Sequence, residues 1–229
     1  MEDGKVMNKL KVLYEDNHLI VVVKPSNVPS QQDSSNDLDL LTMVKNYIKE
    51  KYHKPGNVYI GLLHRLDRPV SGIMVFARTS KAASRLSDQI RKNEFSKKYL
   101  AVVNGIIEKD EDTLVDYLKK DNNGNTVVTN SNDGKESILA YKVLERNYEK
   151  KETLVEIELK TGRHHQIRVQ FASRNYPLCG DQRYGKMDKT QIALCAYHLE
   201  FTHPTTKEKM KFTIEKPNRE YWINFKYVK

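Results

Sequence analysis

The chain is poor in cysteine: its 229 residues include two, Cys179 and Cys195, which form no CxxC pair. That excludes a disulfide framework of the kind that staples small secreted domains. No apolar run approaches the length needed to cross a bilayer. The opening residues, Met1-Glu2-Asp3-Gly4-Lys5, lack the apolar core of a signal peptide. Internal repeats are absent, and no linker is long enough to split the chain, so one domain, or two closely packed halves, is expected. These absences point to the cytoplasm and to no membrane partner. Acid is also in short supply. Lys and Arg number 39 against 30 Asp and Glu, a formal net charge of +9. The sequence pI is about 9.3. Such an excess favours a polyanionic partner, nucleic acid ahead of anionic lipid.

What is present reads as short strands with a few helices. Lys11–Tyr14 and Leu19–Val23 form a hairpin across the turn at Glu15–His18. Asp37 or Asp39 caps a helix running to about Tyr52, with Leu41, Val44 and Ile48 on its apolar face. Tyr59–Leu63 and Ile73–Ala77 are buried strands. Ser80 caps a helix to about Asn93, with Ala83, Leu86 and Ile90 inward. Phe95–Val103 is a strand, and the polar stretch Glu108–Lys135 carries the turn clusters of a β-hairpin arm projecting from the body. Ser137–Leu144, Thr153–Leu159, Ile192–Phe201 and Lys209–Ile214 complete the strands. Ile167 and Phe171 share one side of a short helix that has Arg168 on another, and the aromatic tail, Tyr221 to Tyr227, serves packing. Strands and helices without strict βαβ alternation predict an α+β fold on a largely antiparallel sheet.

Between the strands at Tyr59–Leu63 and Ile73–Ala77 sits a charged knot: His64, Arg65, Asp67 and Arg68, then Pro69, Ser71 and Gly72. Pro and Gly break the strand pattern, so the knot is a loop at a sheet edge. An acid flanked by two arginines is either a carboxylate kept ionised and aimed, or a surface ion pair on a polar turn. The adjacent His164 and His165 raise the thought of a metal, but no HExxH, CxxC or third ligand at a useful spacing accompanies them. On these residues no metal is expected. Taken alone, Tyr99 is a core tyrosine, Leu194 plain core, and Lys97 and Lys98 a solvated strand edge.

Together these groups resemble a known family. His64-Arg65-Leu66-Asp67-Arg68-Pro69-Val70-Ser71-Gly72 is similar to the HRLDxxxSG signature of the RluA-like RNA pseudouridine synthases. Further resemblances follow in order: Asp16 to Pro25, then Lys97 to Gly105 around Tyr99, then Thr161 to Arg168, which is similar to the family's GRTHQIR motif. Gly180-Asp181 with Tyr184-Gly185, and Leu199 to Pro204, complete the set, so the likeness covers about Leu10 to Pro217.

The resemblance implies one catalytic domain over residues 1–229, with its core at about 10–217, a mixed, mostly antiparallel sheet with flanking helices, and a central cleft. It implies an isomerase that converts uridine to pseudouridine in tRNA or rRNA without cofactor or metal, with RNA as partner and no protein partner required, so that a monomer suffices. Asp67 matches the catalytic aspartate, Tyr99 the residue that stacks on the target base, and Arg168 the basic partner of the aspartate. Arg65 matches the arginine that helps hold the flipped nucleotide, and Leu194 an apolar residue beside the pocket. With Arg68, His164 and His165 these complete the substrate-binding set. The physics agrees: an uncharged pocket opposes ionisation of an acid, a neighbouring arginine favours it, and unstacking a base costs a few kcal/mol and calls for an aromatic platform. The chain departs from the pattern where His164 replaces Thr, where Pro69-Val70 precede Ser71, and at Cys195, where His is common. No room is expected before Leu10 for the extra N-terminal RNA-binding domain of some members, which gives target selection to the catalytic domain. Two other functions stay open on the residues: an RNA-binding or assembly factor without catalysis, and a glycoside or nucleoside hydrolase, which would need a second carboxylate within about 5–10 Å of the first.

Overall fold

The computed structural model describes residues 10–186 and 189–227; the opening residues read above for a targeting signal lie outside them. The apolar run of the second strand and the turn at Asp16 make a hairpin of β1 (Lys11–Glu15) and β2 (Leu19–Lys24). The Asp16 carboxylate fixes that turn by accepting the backbone N–H groups of His18 and Leu19 at 2.7 and 2.8 Å. Asp39 caps α1 (Leu40–Lys51) by accepting the Thr42 N–H at 3.0 Å, and the helix buries Leu40, Val44 and Ile48. Leu40 takes the place predicted for Leu41, which is half-buried. The strand predicted over Tyr59–Leu63 contracts to β3 (Gly61–Leu62), paired with β4 (Ser71–Ala77).

Helix α2 (Ser80–Arg91) starts one residue earlier in its capping than predicted. Thr79, not Ser80, accepts the Ala82 N–H, and the buried face is Ala82, Leu86 and Gln89. The Gln89 side chain explains the rotation. Its amide donates to the Thr202 carbonyl at 2.8 Å and accepts the Thr202 N–H at 2.9 Å, so a polar residue sits inside with both groups satisfied. Ala83 and Ile90 pack half-buried beside it.

The remaining strands are β5 (Ser96–Asn104), β6 (Glu111–Lys120), β7 (Thr126–Thr129), β8 (Lys135–Asn147), β9 (Glu152–Leu159), β10 (Leu194–Thr202) and β11 (Lys209–Thr213). With the helix α3 (Gln166–Ala172) they complete an α+β architecture. All strands join one sheet of eleven in the order β1-β2-β4-β10-β5-β9-β8-β6-β7, with β3 on β4 and β11 on β10. Every pairing is antiparallel except β4 with β10, where Cys195 faces Ser71 and Ala196 faces Gly72. Gly72 is required there: its φ is +141°, and a Cβ would stand 2.4 Å from the Ala196 carbonyl oxygen.

Side-chain alternation divides the core between the sheet's two faces. One face packs α1 and α3 over Ile20, Val22, Tyr99, Ala101, Ile157 and their neighbours. The other is covered by α2 and by the C-terminal segment, whose Trp222 and Phe225 are buried. The aromatic tail is therefore packing, as predicted. The hairpin β6–β7 differs from its prediction. It does not project: β6 pairs with β8 along its length, β7 is the last strand of the sheet, and the first residue of β7, Thr126, is buried against the functional cleft.

Candidate active site

Asp67 lies in the loop between β3 and β4, and buried groups hold that loop from several sides. Leu66 and Val70 anchor it in the core. Ser30 Oγ accepts the Leu66 N–H at 3.1 Å and donates to the Leu66 carbonyl at 2.7 Å. Gln191 donates to the Pro69 carbonyl at 2.5 Å. Beneath it the fully buried Lys24 points its Nζ at the carbonyls of Pro25, Val28 and Arg68, at 3.0, 2.5 and 2.9 Å. Burial pushes the Lys24 amine down to about 7 against the pull of Asp67. A loop so held presents one carboxylate, a quarter exposed, to the cleft.

Arg168 projects from α3 toward that carboxylate, and its Nη1 stands 3.4 Å from Asp67 Oδ2. Its other nitrogens form a fork on Asp181, Nε to Oδ2 at 2.8 Å and Nη2 to Oδ1 at 2.7 Å. Asp181 is wholly buried and also accepts the backbone N–H groups of Arg183 and Tyr184. Burial opposes both charges, but the mutual hydrogen bonds outweigh it, raising the arginine's pKa and lowering the aspartate's. The guanidinium is thus fixed in place by one acid and turned toward another.

His165 approaches the same oxygen, with Nε2 3.6 Å from Asp67 Oδ2. Burial, then the nearby Arg168 charge, pushes its pKa down to about 3, so the ring is neutral at neutral pH. His164 stacks on it with ring centres 3.7 Å apart. Among the described residues no group of three His, Cys, Asp or Glu side chains is disposed to hold a metal.

Tyr99 of β5 and Leu194 of β10 form the floor, both nearly buried and both on the face that carries α3. Burial, and then the charge of Asp67, raises the Tyr99 pKa, so the phenol keeps its proton at neutral pH. Lys97, read as a solvated edge, instead lines the cleft, and its burial lowers its pKa. Lys98 is paired across the sheet with Glu156 at 3.0 Å. Arg65 is exposed at the cleft wall. Arg68 also lines the cleft, where it donates to Ser35 at 2.8 Å and ion-pairs Asp37 and Asp33 in the loop before α1.

The structure therefore gathers Asp67, Arg168, His165, His164, Tyr99, Leu194 and Arg65 around one cleft of about 2100 Å³. That exceeds the roughly 300–1,000 Å³ of small-molecule pockets, and the rim carries Lys120, Arg163 and Arg183, so the space suits a large anionic substrate. Asp181, Tyr184, Lys24 and Gln191 were not among the predicted site residues. Asp181 and Tyr184 stood in a quoted motif, but nothing local in the sequence tells a buried acid from an exposed one.

Comparison with known proteins gives this geometry a context. The family profile described as RNA pseudouridylate synthase matches residues 18–173. An uncharacterised RNA pseudouridine synthase of Aquifex aeolicus is 34% identical over 223 residues, 91% of this chain and 70% of the relative. A ribosomal large subunit pseudouridine synthase C of Buchnera aphidicola is 32% identical over 229 residues, 93% of this chain and 69% of the relative. The solved structure of human RNA pseudouridylate synthase domain containing 4 shares the fold, with a TM-score of 0.76 at 20% identity, covering 93% of this chain and 90% of that one.

Proposed function

The chain belongs to the RluA-like family of RNA pseudouridine synthases, isomerases that act on RNA, and from that premise we propose that it converts specific uridines of structured RNA to pseudouridine with Asp67 as the catalytic group. The observation that carries the reading is the Asp67–Arg168–Asp181 arrangement, an aimed carboxylate in an RNA-sized cleft.

In the reaction the N1–C1′ glycosidic bond breaks, the uracil turns within the closed site, and a C5–C1′ bond forms. The hydrogen leaves C5 and one is gained at N1, so the product is an isomer of the substrate. Asp67 assists both bond changes at the sugar. Arg168 keeps the carboxylate in place while charge shifts around C1′. Tyr99, protonated and part of the floor, supplies the stacking surface that replaces the neighbours the base has lost. Arg65, exposed on the Asp67 loop, stands where it can hold the emptied place in the RNA. Arg68 lines the cleft while paired with Asp33 and Asp37, a cation at the wall that can serve the RNA.

A hydrolase is disfavoured by the second acid. Asp181, which shares Arg168 with Asp67, is wholly buried: its Oδ2 accepts from Arg168 Nε and its Oδ1 from Arg168 Nη2 and the backbone N–H groups of Arg183 and Tyr184, so it serves as the arginine's counter-charge. Relatives named for the large ribosomal subunit make ribosomal RNA the first substrate to try and tRNA the second, and the reading goes with a cytoplasmic enzyme. The test is nucleoside analysis of RNA transcripts incubated with the purified protein. Pseudouridine without free uracil is expected; free uracil would establish the hydrolase, and tight binding with neither product would establish a non-catalytic RNA-binding protein.

A further inference from the structure

The edge strand β7 is wired to the aspartate through a chain of hydrogen bonds. The backbone N–H of Thr126 donates to the Tyr184 hydroxyl at 2.9 Å. A backbone N–H can only donate, so the phenol oxygen is the acceptor there. That leaves the phenol one hydrogen to give, and among the described residues its other partner is His165 Nδ1, at 2.9 Å. A His165 whose Nδ1 accepts carries its own proton on Nε2, the nitrogen that faces Asp67 Oδ2 at 3.6 Å. The ring has little freedom to do otherwise. His164 stacks on it at 3.7 Å and is itself tied to Thr126, Nδ1 to Oγ1 at 2.9 Å. Tyr184 meets its edge with ring centres 5.5 Å apart, and the backbone at His165 is held in the left-handed region at φ +52°. A non-glycine residue there, locked by its surroundings, is the kind of local strain that accompanies functional sites. Arg183 adds a further tie from the same loop to the hairpin, donating to Asn125 at 2.9 Å.

We propose that His165 is a positioning residue for Asp67: its Nε2–H faces the carboxylate opposite Arg168, and the tautomer is dictated by β7 through Tyr184. The hairpin β6–β7 thereby sets the aspartate as well as walling the cleft. This rests on the pseudouridine synthase reading for its catalytic consequence, while the tautomer itself does not. His164, which stands where the family pattern has Thr, is the clamp that this chain adds.

Nitrogen-15 NMR of protein labelled in its histidine rings reads the tautomer without any substrate. His165 is expected to carry its proton on Nε2 at neutral pH, and in Tyr184→Phe, which keeps the ring packed against Arg168, the two tautomers should mix. Protonation on Nδ1 in the unaltered protein overturns the proposal. Kinetics supply the second arm. In single-turnover pseudouridine formation, Tyr184→Phe and His165→Asn should each slow the reaction by on the order of ten- to a hundredfold, the scale of a misplaced reacting group. RNA affinity should hold within about twofold, and the double variant should be no slower than the slower single one. Losses that multiply, or a loss confined to RNA binding, would overturn the proposal. A wild-type protein that forms no pseudouridine would count against the enzymatic reading alone, and the tautomer measurement would still decide this one.

Discussion

Arg168 holds two carboxylates with one guanidinium, and the division is unequal. Asp181 takes the close bidentate contact inside the protein, while Asp67 receives the longer one at 3.4 Å. In the proposed reaction that inequality would matter: a single strong pair with Asp67 would tie the acid down, whereas an arginine fixed elsewhere leaves one carboxylate oriented and open. Removing the anchor should cost both stability and activity. Asp181→Asn leaves the guanidinium buried without its counter-charge, and breaking such a pair costs about 3–5 kcal/mol. Urea denaturation should show a loss of that order, and unchanged stability would mean the pair is not the anchor. Little of this was legible from the chain. The Asp67 loop and Arg168 stood out through their motifs, but which of 30 acidic residues meets Arg168 depends on the fold of the segment after β-strand pairing, 13 residues further on.

The elements were more legible where local chemistry decides them. Asp37 or Asp39 before an apolar-periodic stretch, and apolar runs bounded by turn residues, gave α1 and most strands near their observed ends, and the structure selects Asp39 as the cap. Thr79 and Ser80 are both good caps, so local sequence could not choose between them, and the choice was made by Gln89 reaching the backbone of β10. The parallel contact of β4 with β10 joins residues more than a hundred positions apart and left no local sign. It is also what sets the Asp67 loop in place, because Gly72 lies against Ala196 immediately after the loop. Gly72→Ala would put a Cβ 2.4 Å from a carbonyl oxygen on a backbone of φ +141°. The two strands must separate to admit it. We expect a fall in melting temperature together with a loss of pseudouridine formation, read by thermal denaturation and nucleoside analysis. An active, equally stable variant would contradict the role given to this contact.

For the whole molecule, the neutral buried histidines make a prediction about acid. Burial pushes His64 and His165 down to about 3, aided by Lys97 and by Arg168 respectively. Their ordinary value is 6.5. Between those limits the unfolded chain binds protons that the native protein refuses, so stability falls as pH drops below 6.5 and this contribution levels off near 3. Above about pH 5.5 few carboxylates titrate, so the fall between pH 6.5 and about 5.5 belongs to histidine. Urea titrations across that interval should show the slope, reduced in His165→Asn; a flat profile would mean these rings take up protons in the folded state.

The central claim is that Asp67 performs chemistry on uridine and does not merely hold RNA. Transcripts carrying tritium at uridine C5 test it most directly, because forming the C5–C1′ bond must release that hydrogen to water. Wild-type protein should release tritium in proportion to pseudouridine formed. Asp67→Asn should release none while binding the same RNA with an affinity within about twofold of wild type, since the carboxylate carries no share of the phosphate contacts. Tritium release by Asp67→Asn at the wild-type rate, or loss of RNA binding in its place, would contradict the account.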